Sequence, residues 1–205
     1  MAERRSVTQL LDELARFSST DPEQEGVTRL PFTPEQERAA RWLAERMEAL
    51  EMSPRIDSCG TVAGFLPGQS DEVLILGSHY DSVPNAGRYD GCAGVIAALE
   101  VVRRLKEAGE LPRYSLMVMA LNDEEGVRFT DGFLSSRSVC GVLTGDSRER
   151  ILDRETGQRL GELLDASPFQ GEPIRLPERA RAYLEFHVEQ GPVLDREGLS
   201  AAVVD

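Results

Sequence analysis

Two nearly all-apolar runs, VLILG at 73–77 and SLMVMAL at 115–121, flank a segment in which Val95, Leu99, Val102 and Leu105 recur at helical spacing. A strand with one face in water alternates apolar and polar side chains, so runs without alternation fit strands covered on both faces. Gly109 supplies a stop for the intervening helix. Strand, helix, strand in that order implies a right-handed crossover between parallel neighbours, which places the chain in the α/β class.

Other elements fit around this unit. Leu10, Leu11, Leu14 and Phe17 predict an amphipathic first helix. A second starts at Thr33, where TPEQ offers a threonine N-cap, a proline at the first helical position and Gln36 to close a capping box, followed by the stripe Leu43, Met47, Leu50. SPRID and TVAGFL are short strand candidates, FLSSRSV and RLGELLDA are helical pieces in a turn-rich stretch, and RAYLEFHV at 181–188 predicts a strand running into the turn EQGP. Ligands in open α/β sheets gather at the carboxyl ends of strands, so polar clusters far apart in sequence can converge there.

A length of 205 residues suits one large domain. With 23 Lys and Arg against 36 Asp and Glu, the net charge of −13 disfavours nucleic acid and anionic membrane surfaces as partners. Cys59, Cys92 and Cys140 are odd in number and outside any C-x-x-C pattern, which argues against a disulfide framework and predicts a reduced, cytoplasmic setting. The N-terminal MAERRSVTQLLDELARF lacks the uninterrupted apolar core of a signal peptide, and no run approaches the roughly 20 apolar residues that span a bilayer.

The chain has two histidines, and each falls at or near the end of a predicted strand: His79 in GSHYD and His187 in EFHVEQG. Their acidic company is Asp90, just before the crossover helix, and Glu124–Glu125, just after the next strand. Imidazole and carboxylate donors suit zinc, manganese or cobalt, and a bridging aspartate can hold two ions. Asp81, two residues beyond His79, is placed to orient its ring. Each residue alone has a plainer reading: a satisfied core histidine, a helix cap at Asp90, a solvated turn at Glu124–Glu125, or a turn donor at Gln190 before Gly191 and Pro192. Together they favour a metal centre. GSHYDSVPNAGRYDGCAG has neither a Walker lysine pattern nor G-x-G-x-x-G, and Ser78 and Ser82 lack a G-x-S-x-G elbow.

The segments EGVTRL, GSHYDSVPNAGRYDG, NDEEGVRF with FLSSRSVCG beyond it, and FHVEQGPVLDREG follow one another in an order that extends over almost the whole chain. In these motifs the chain resembles the N-carbamoyl-L-amino-acid hydrolase and allantoate amidohydrolase group of the dinuclear zinc metallopeptidase-like (M20) family. The resemblance implies a zinc-exopeptidase-like α/β/α sandwich with a mostly parallel central sheet. It also implies one ion on His79, Asp90 and His187 and another on Asp90 and Glu125, with Asp90 bridging. Glu124 matches the general base or proton shuttle, Asp81 the acid behind His79, and Gln190 a site-organising or substrate-contact residue. The cofactor implied is divalent zinc or manganese, and the substrate a small ureido or amide compound. Thr61, Ala86 and Val127 depart from the pattern without removing a matched ligand.

Complete members of such a family are longer, with a lid or dimerisation domain and a returning segment that carries a final metal-ligand histidine. Residues 1–205 are therefore expected to form a catalytic-domain portion, to bind one ion or none and to be impaired in hydrolysis. A homodimer or a complementing C-terminal fragment would be the protein partner. Aminoacylase or dipeptidase chemistry, and an inactive metal-binding or assembly module, stay open as alternatives.

Overall fold

The computed structural model describes residues 5–204. Met1 to Arg4, which open the stretch judged not to be a signal peptide, and Asp205 lie outside it. The elements in chain order are α1 (Val7–Ala15), α2 (Pro34–Ala49), β1 (Ser53–Ile56), β2 (Val62–Leu66), β3 (Ser70–His79), α3 (Cys92–Glu107), β4 (Tyr114–Leu121), α4 (Leu134–Val139), α5 (Gly145–Arg150), α6 (Leu160–Ala166), β5 (Ala180–Leu184) and α7 (Val193–Glu197).

The five strands form one sheet in the order β1-β2-β4-β3-β5. β4, β3 and β5 are parallel, with Leu76 of β3 between Val118 and Leu184. β2 is antiparallel to β1 and β4, so it alone runs against the other four strands. Period-two alternation then sends side chains to two faces. Val62, Leu66, Leu116, Val118 and Ala120 meet Leu14 of α1, Leu43 and Met47 of α2, and Val95, Leu99 and Val102 of α3. Each large aliphatic side chain buried there contributes about 1.5–3 kcal/mol. Ala63, Ile75 and Met119 face the other way, onto Val139 of α4 and Ile174. The result is the expected three-layer α/β/α sandwich with a mostly parallel sheet, its second helical layer much the thinner.

Two local expectations change. Thr33 caps α2 by accepting from the Gln36 N–H at 3.3 Å, but the capping box does not close. The Gln36 amide is buried, with its oxygen taking the Phe32 N–H and its nitrogen donating to the Tyr80 hydroxyl. The strand expected over 181–188 ends at Leu184. Beyond it the chain leaves the sheet toward α3, where Gly94 has no Cβ to block the Phe186 carbonyl. That departure carries His187 away from the strand line. The cysteines are free, and among the described residues no helix is long and apolar enough to cross a membrane.

Candidate metal-dependent active site

His79 and Leu121 pair at the carboxyl ends of β3 and β4, so the loops that follow leave the sheet side by side. The Nδ1 of His79 lies 3.1 Å from the Asp81 carbonyl oxygen, which only accepts. Nδ1 therefore carries a proton and Nε2 is the atom turned to the cluster. His187 repeats the arrangement, with Nδ1 donating to the Val188 carbonyl at 2.8 Å. The two Nε2 atoms are 3.4 Å apart, and the rings stack with centroids 5.6 Å apart. His187 Nε2 is also 3.4 Å from Asp90 Oδ1, and His79 Nε2 is 3.8 Å from Glu124 Oε2. Ligand atoms of His79, Asp90 and His187 lie within 4.8 Å of one another, as do those of His79, Glu124 and Glu125.

Local backbone explains the convergence. Gly91 adopts φ +61° and opens α3 with no side-chain cap, so Asp90 is not spent as a helix cap. A Cβ on Gly91 would sit 2.5 Å from Nδ1, Cε1 and Nε2 of His79. Asp81, fully buried behind the ring, accepts the Glu124 N–H at 3.1 Å on one oxygen and the Glu125 N–H at 3.3 Å on the other. It thus ties the Glu-Glu turn to the histidine loop while its carboxylate stands 3.6 Å from His79 Nδ1. Gln190 donates to both oxygens of Asp90 at 2.8 and 2.9 Å.

The cluster is rich in negative charge. Burial disfavours a charged His79, but the hydrogen bond and charge of Asp81 and the charge of Glu124 outweigh it and lift the ring to about 9. Burial, reinforced by Asp90, Asp81 and Glu124, pushes Glu125 up to about 7. Burial likewise raises Glu124 above the ordinary glutamate value.

All seven residues singled out from sequence are brought to one place: His79, Asp90, Glu124, Glu125, His187 and Gln190 around the cluster and Asp81 behind it. Sequence reasoning missed Asp123, which is fully buried at φ +59° with neither carboxylate oxygen partnered among the described residues. Burial and the nearby Asp81 charge push it up to about 8. Its carbonyl takes the Phe133 N–H and the neighbouring Asn122 N–H reaches Ser135, which pins the Glu-Glu turn to α4. The only sequence signal was an unusual run of three acids. The variants Thr61 and Ala86 lie outside the cluster, Thr61 donating to Ser135 and Ala86 pairing with Val27.

The donor set suits a divalent cation. Two imidazole lone pairs facing each other repel unless a proton or a cation lies between them, and Glu125 Oε1 is buried without a partner among the described residues. Nitrogen and carboxylate donors of this kind accommodate zinc or manganese.

Residues 75–204 match the family model described as peptidase family M20/M25/M40, and the chain belongs to that family. It is 35% identical to an N-carbamoyl-L-amino-acid amidohydrolase of Paenarthrobacter aurescens, over 99% of this chain and 50% of that protein. It is 33% identical to an allantoate amidohydrolase of Bacillus subtilis, over 98% of this chain and 49% of that one. A crystal structure of a hydantoinase/carbamoylase family amidase from Burkholderia ambifaria superposes with a TM-score of 0.83 at 34% identity, covering 94% of this chain and 46% of the other. The chain thus spans about half the length of the curated relatives it matches.

Proposed function

We propose that this chain carries the metal-holding and proton-transfer part of an amidohydrolase that cleaves the linear C–N bond of an N-carbamoyl-L-amino acid or of allantoate. The observation that carries this reading is the meeting of both histidines with Asp90, Glu124 and Glu125 at one end of the sheet. The names of the relatives supply the substrate class.

On this reading His79, Asp90 and His187 hold one ion, while Asp90 and Glu125 offer oxygens to a second. A bound divalent ion would polarise the substrate carbonyl and make water acidic enough to attack near neutral pH. The rest falls to the chain's own groups. Glu124 is 41% exposed on its side chain, so it can reach both solvent and the cluster. Its raised affinity for protons suits a base that takes a proton from the attacking water and delivers it to the leaving nitrogen. Asp81 holds His79 with Nε2 forward, and Gln190 orients Asp90 or meets the substrate. An N-carbamoyl amino acid plus water then gives the amino acid and carbamic acid, which decays to carbon dioxide and ammonia.

His79 belongs to both ligand groups, so a second cation beside Glu124 and Glu125 would share its only imidazole. One tightly held ion per chain is the stoichiometry this supports. Residues 1–205 are on this reading a catalytic-domain portion, and its three free thiols are in keeping with a reducing, cytoplasmic setting. The exposed strand β5, with Tyr183 and Leu184 open and Phe186 exposed just beyond its end, offers a surface on which a second copy or a complementing C-terminal chain would pack.

The test is Glu124→Gln in the chain supplied with the C-terminal half that its longer relatives carry, assayed for zinc and manganese binding by titration calorimetry and for ammonia release from N-carbamoyl amino acids and allantoate. Retained ion binding with turnover lower by about 10²-fold or more is expected. Equal turnover by the two proteins removes Glu124 from the base role. Absence of ion binding by the wild-type chain removes the metal reading.

A further inference from the structure

The loop that presents His187 and Gln190 has an anchor that the proposed chemistry does not use. Glu189 lies between them, and its carboxylate turns away from the cluster. Oε1 accepts the main-chain N–H groups of Val193 at 2.8 Å and Leu194 at 3.2 Å, and Oε2 accepts that of Leu194 at 3.1 Å. These are the first two residues of α7, which has no side-chain cap of its own and buries none of its residues. The loop closes through a strained residue: Gln190 stands at φ +56°, a left-handed conformation that non-glycine residues adopt at a cost of order 1 kcal/mol or more. Something must hold that conformation. Among the described residues, the side-chain hydrogen bonds of residues 187–194 are those of His187 to the Val188 carbonyl and His79, of Gln190 to Asp90, and of Glu189 to the α7 amides. The first two sets belong to the cluster or to adjacent backbone. Only Glu189 ties the loop to the turn beyond it.

We infer that Glu189 is a positioning residue, whose carboxylate closes residues 187–194 into a rigid turn and so holds His187 and Gln190 against Asp90. It is not itself a ligand, because both its oxygens are taken by backbone amides. The inference rests on the metal reading above for its consequence at the site, but the anchoring itself is independent of any ion. Removing the carboxylate frees the Val193 and Leu194 amides, relaxes Gln190 from its left-handed conformation and widens the range over which His187 Nε2 wanders. Ion affinity then falls because an imidazole donor is no longer held in place; groups hydrogen-bonded to a metal ligand typically alter affinity by about 10- to 100-fold, and Glu189, which acts on His187 through the backbone, belongs at the lower end of that range. Thermal stability stays as it was, since α7 buries none of its residues.

The test compares wild type, Glu189→Gln and Glu189→Ala on the 205-residue chain. Amide hydrogen exchange, followed in the absence of metal, reads the anchor directly: Glu189→Ala should speed exchange at Val193 and Leu194 and across residues 188–192. Glu189→Gln, which keeps one acceptor oxygen, should recover part of the protection. Zinc titration should show affinity weakened by about 10-fold or more for Glu189→Ala, with an intermediate value for Glu189→Gln and melting temperatures unchanged. Unaltered exchange in Glu189→Ala overturns the inference whatever the zinc result. Faster exchange with unaltered zinc affinity overturns the positioning role. A wild-type chain that binds no zinc, with exchange still accelerated in Glu189→Ala, removes the metal reading and leaves Glu189 as the anchor of the loop.

Discussion

Replacing Asp81 by asparagine isolates the residue on which the site's geometry turns. In the wild type each of its oxygens takes one backbone N–H, from Glu124 at 3.1 Å and Glu125 at 3.3 Å. Asparagine has one acceptor oxygen, so in either orientation its NH₂ group faces a donor. Keeping the shorter contact leaves the Glu125 N–H unpaired in a part-buried place, where a buried group would lose about 1–3 kcal/mol and this one loses toward the lower end. Part of that loss is offset, because the Asp81 charge also repels Asp123, Glu124 and Glu125. A net destabilisation near the lower end, about 1–2 kcal/mol, corresponds to a melting temperature lower by about 2–8 °C for a chain of this size. The effect on ion binding should be larger in proportion. His79 loses the carboxylate behind it, Glu125 moves with its freed backbone, and zinc affinity should fall by about 10- to 100-fold. Differential scanning calorimetry without metal and zinc titration calorimetry measure the two effects separately. A variant with wild-type melting temperature and unchanged zinc affinity would refute the claim that Asp81 couples the histidine loop to the Glu-Glu turn.

Gly91→Ala places a Cβ 2.5 Å from three atoms of the His79 ring at a backbone φ of +61°, so zinc binding should be lost while the sheet persists by circular dichroism. Far from the site, Glu100 accepts from Arg103 and Arg104 on α3, and the Arg103 hydrogen bond leads in lowering its carboxyl to about 2. That value lies below the unfolded one of about 4.3, so between the two the folded chain binds fewer protons and loses stability as pH falls. Urea unfolding of wild type and Glu100→Gln should show a gap of about 1 kcal/mol at pH 6 that narrows as pH falls from about 4.5 toward 2.

What could be read from the sequence followed the strength of local patterning. The unit β3-α3-β4 was legible because two apolar runs and a helical stripe leave little alternative, and the site residues because two scarce histidines and their acidic company all fall near predicted strand ends, with their roles supplied by the family resemblance. The end of β5 was not legible, since it is set by the approach of Phe186 to Gly94 on a helix some ninety residues earlier in the chain. The unclosed capping box fails for a similar reason: Gln36 has the right spacing for Thr33, but burial against Tyr80 recruits its amide instead. Least legible was the turn-rich stretch after Gly126. There Phe129, Leu134, Ile151, Leu160 and Leu164 gather with Cys59 into a small second core from elements too short to show a period.

That second core bears on the site more than its patterning suggests. Arg128, at its edge, donates to the Pro31 and Phe32 carbonyls and to Asp153, which fastens the segment after the Glu-Glu turn to the entry of α2. On the other side of the turn Asn122 and Asp123 are held by α4, and from beneath Asp81 grips both glutamate amides. The turn is therefore clamped from three directions, although it carries adjacent carboxylates that repel one another. A solvated surface turn would relax that repulsion by moving apart. Here Asp81, Asp90, Glu124 and Glu125 are kept close to two imidazoles, with Asp123 buried within reach of the Asp81 charge, an arrangement whose electrostatic cost a divalent cation removes. The fold thus invests hydrogen bonds from three separate elements in keeping negative charges together, which is intelligible for a metal centre and has no counterpart in the plainer readings of these residues as caps and turns.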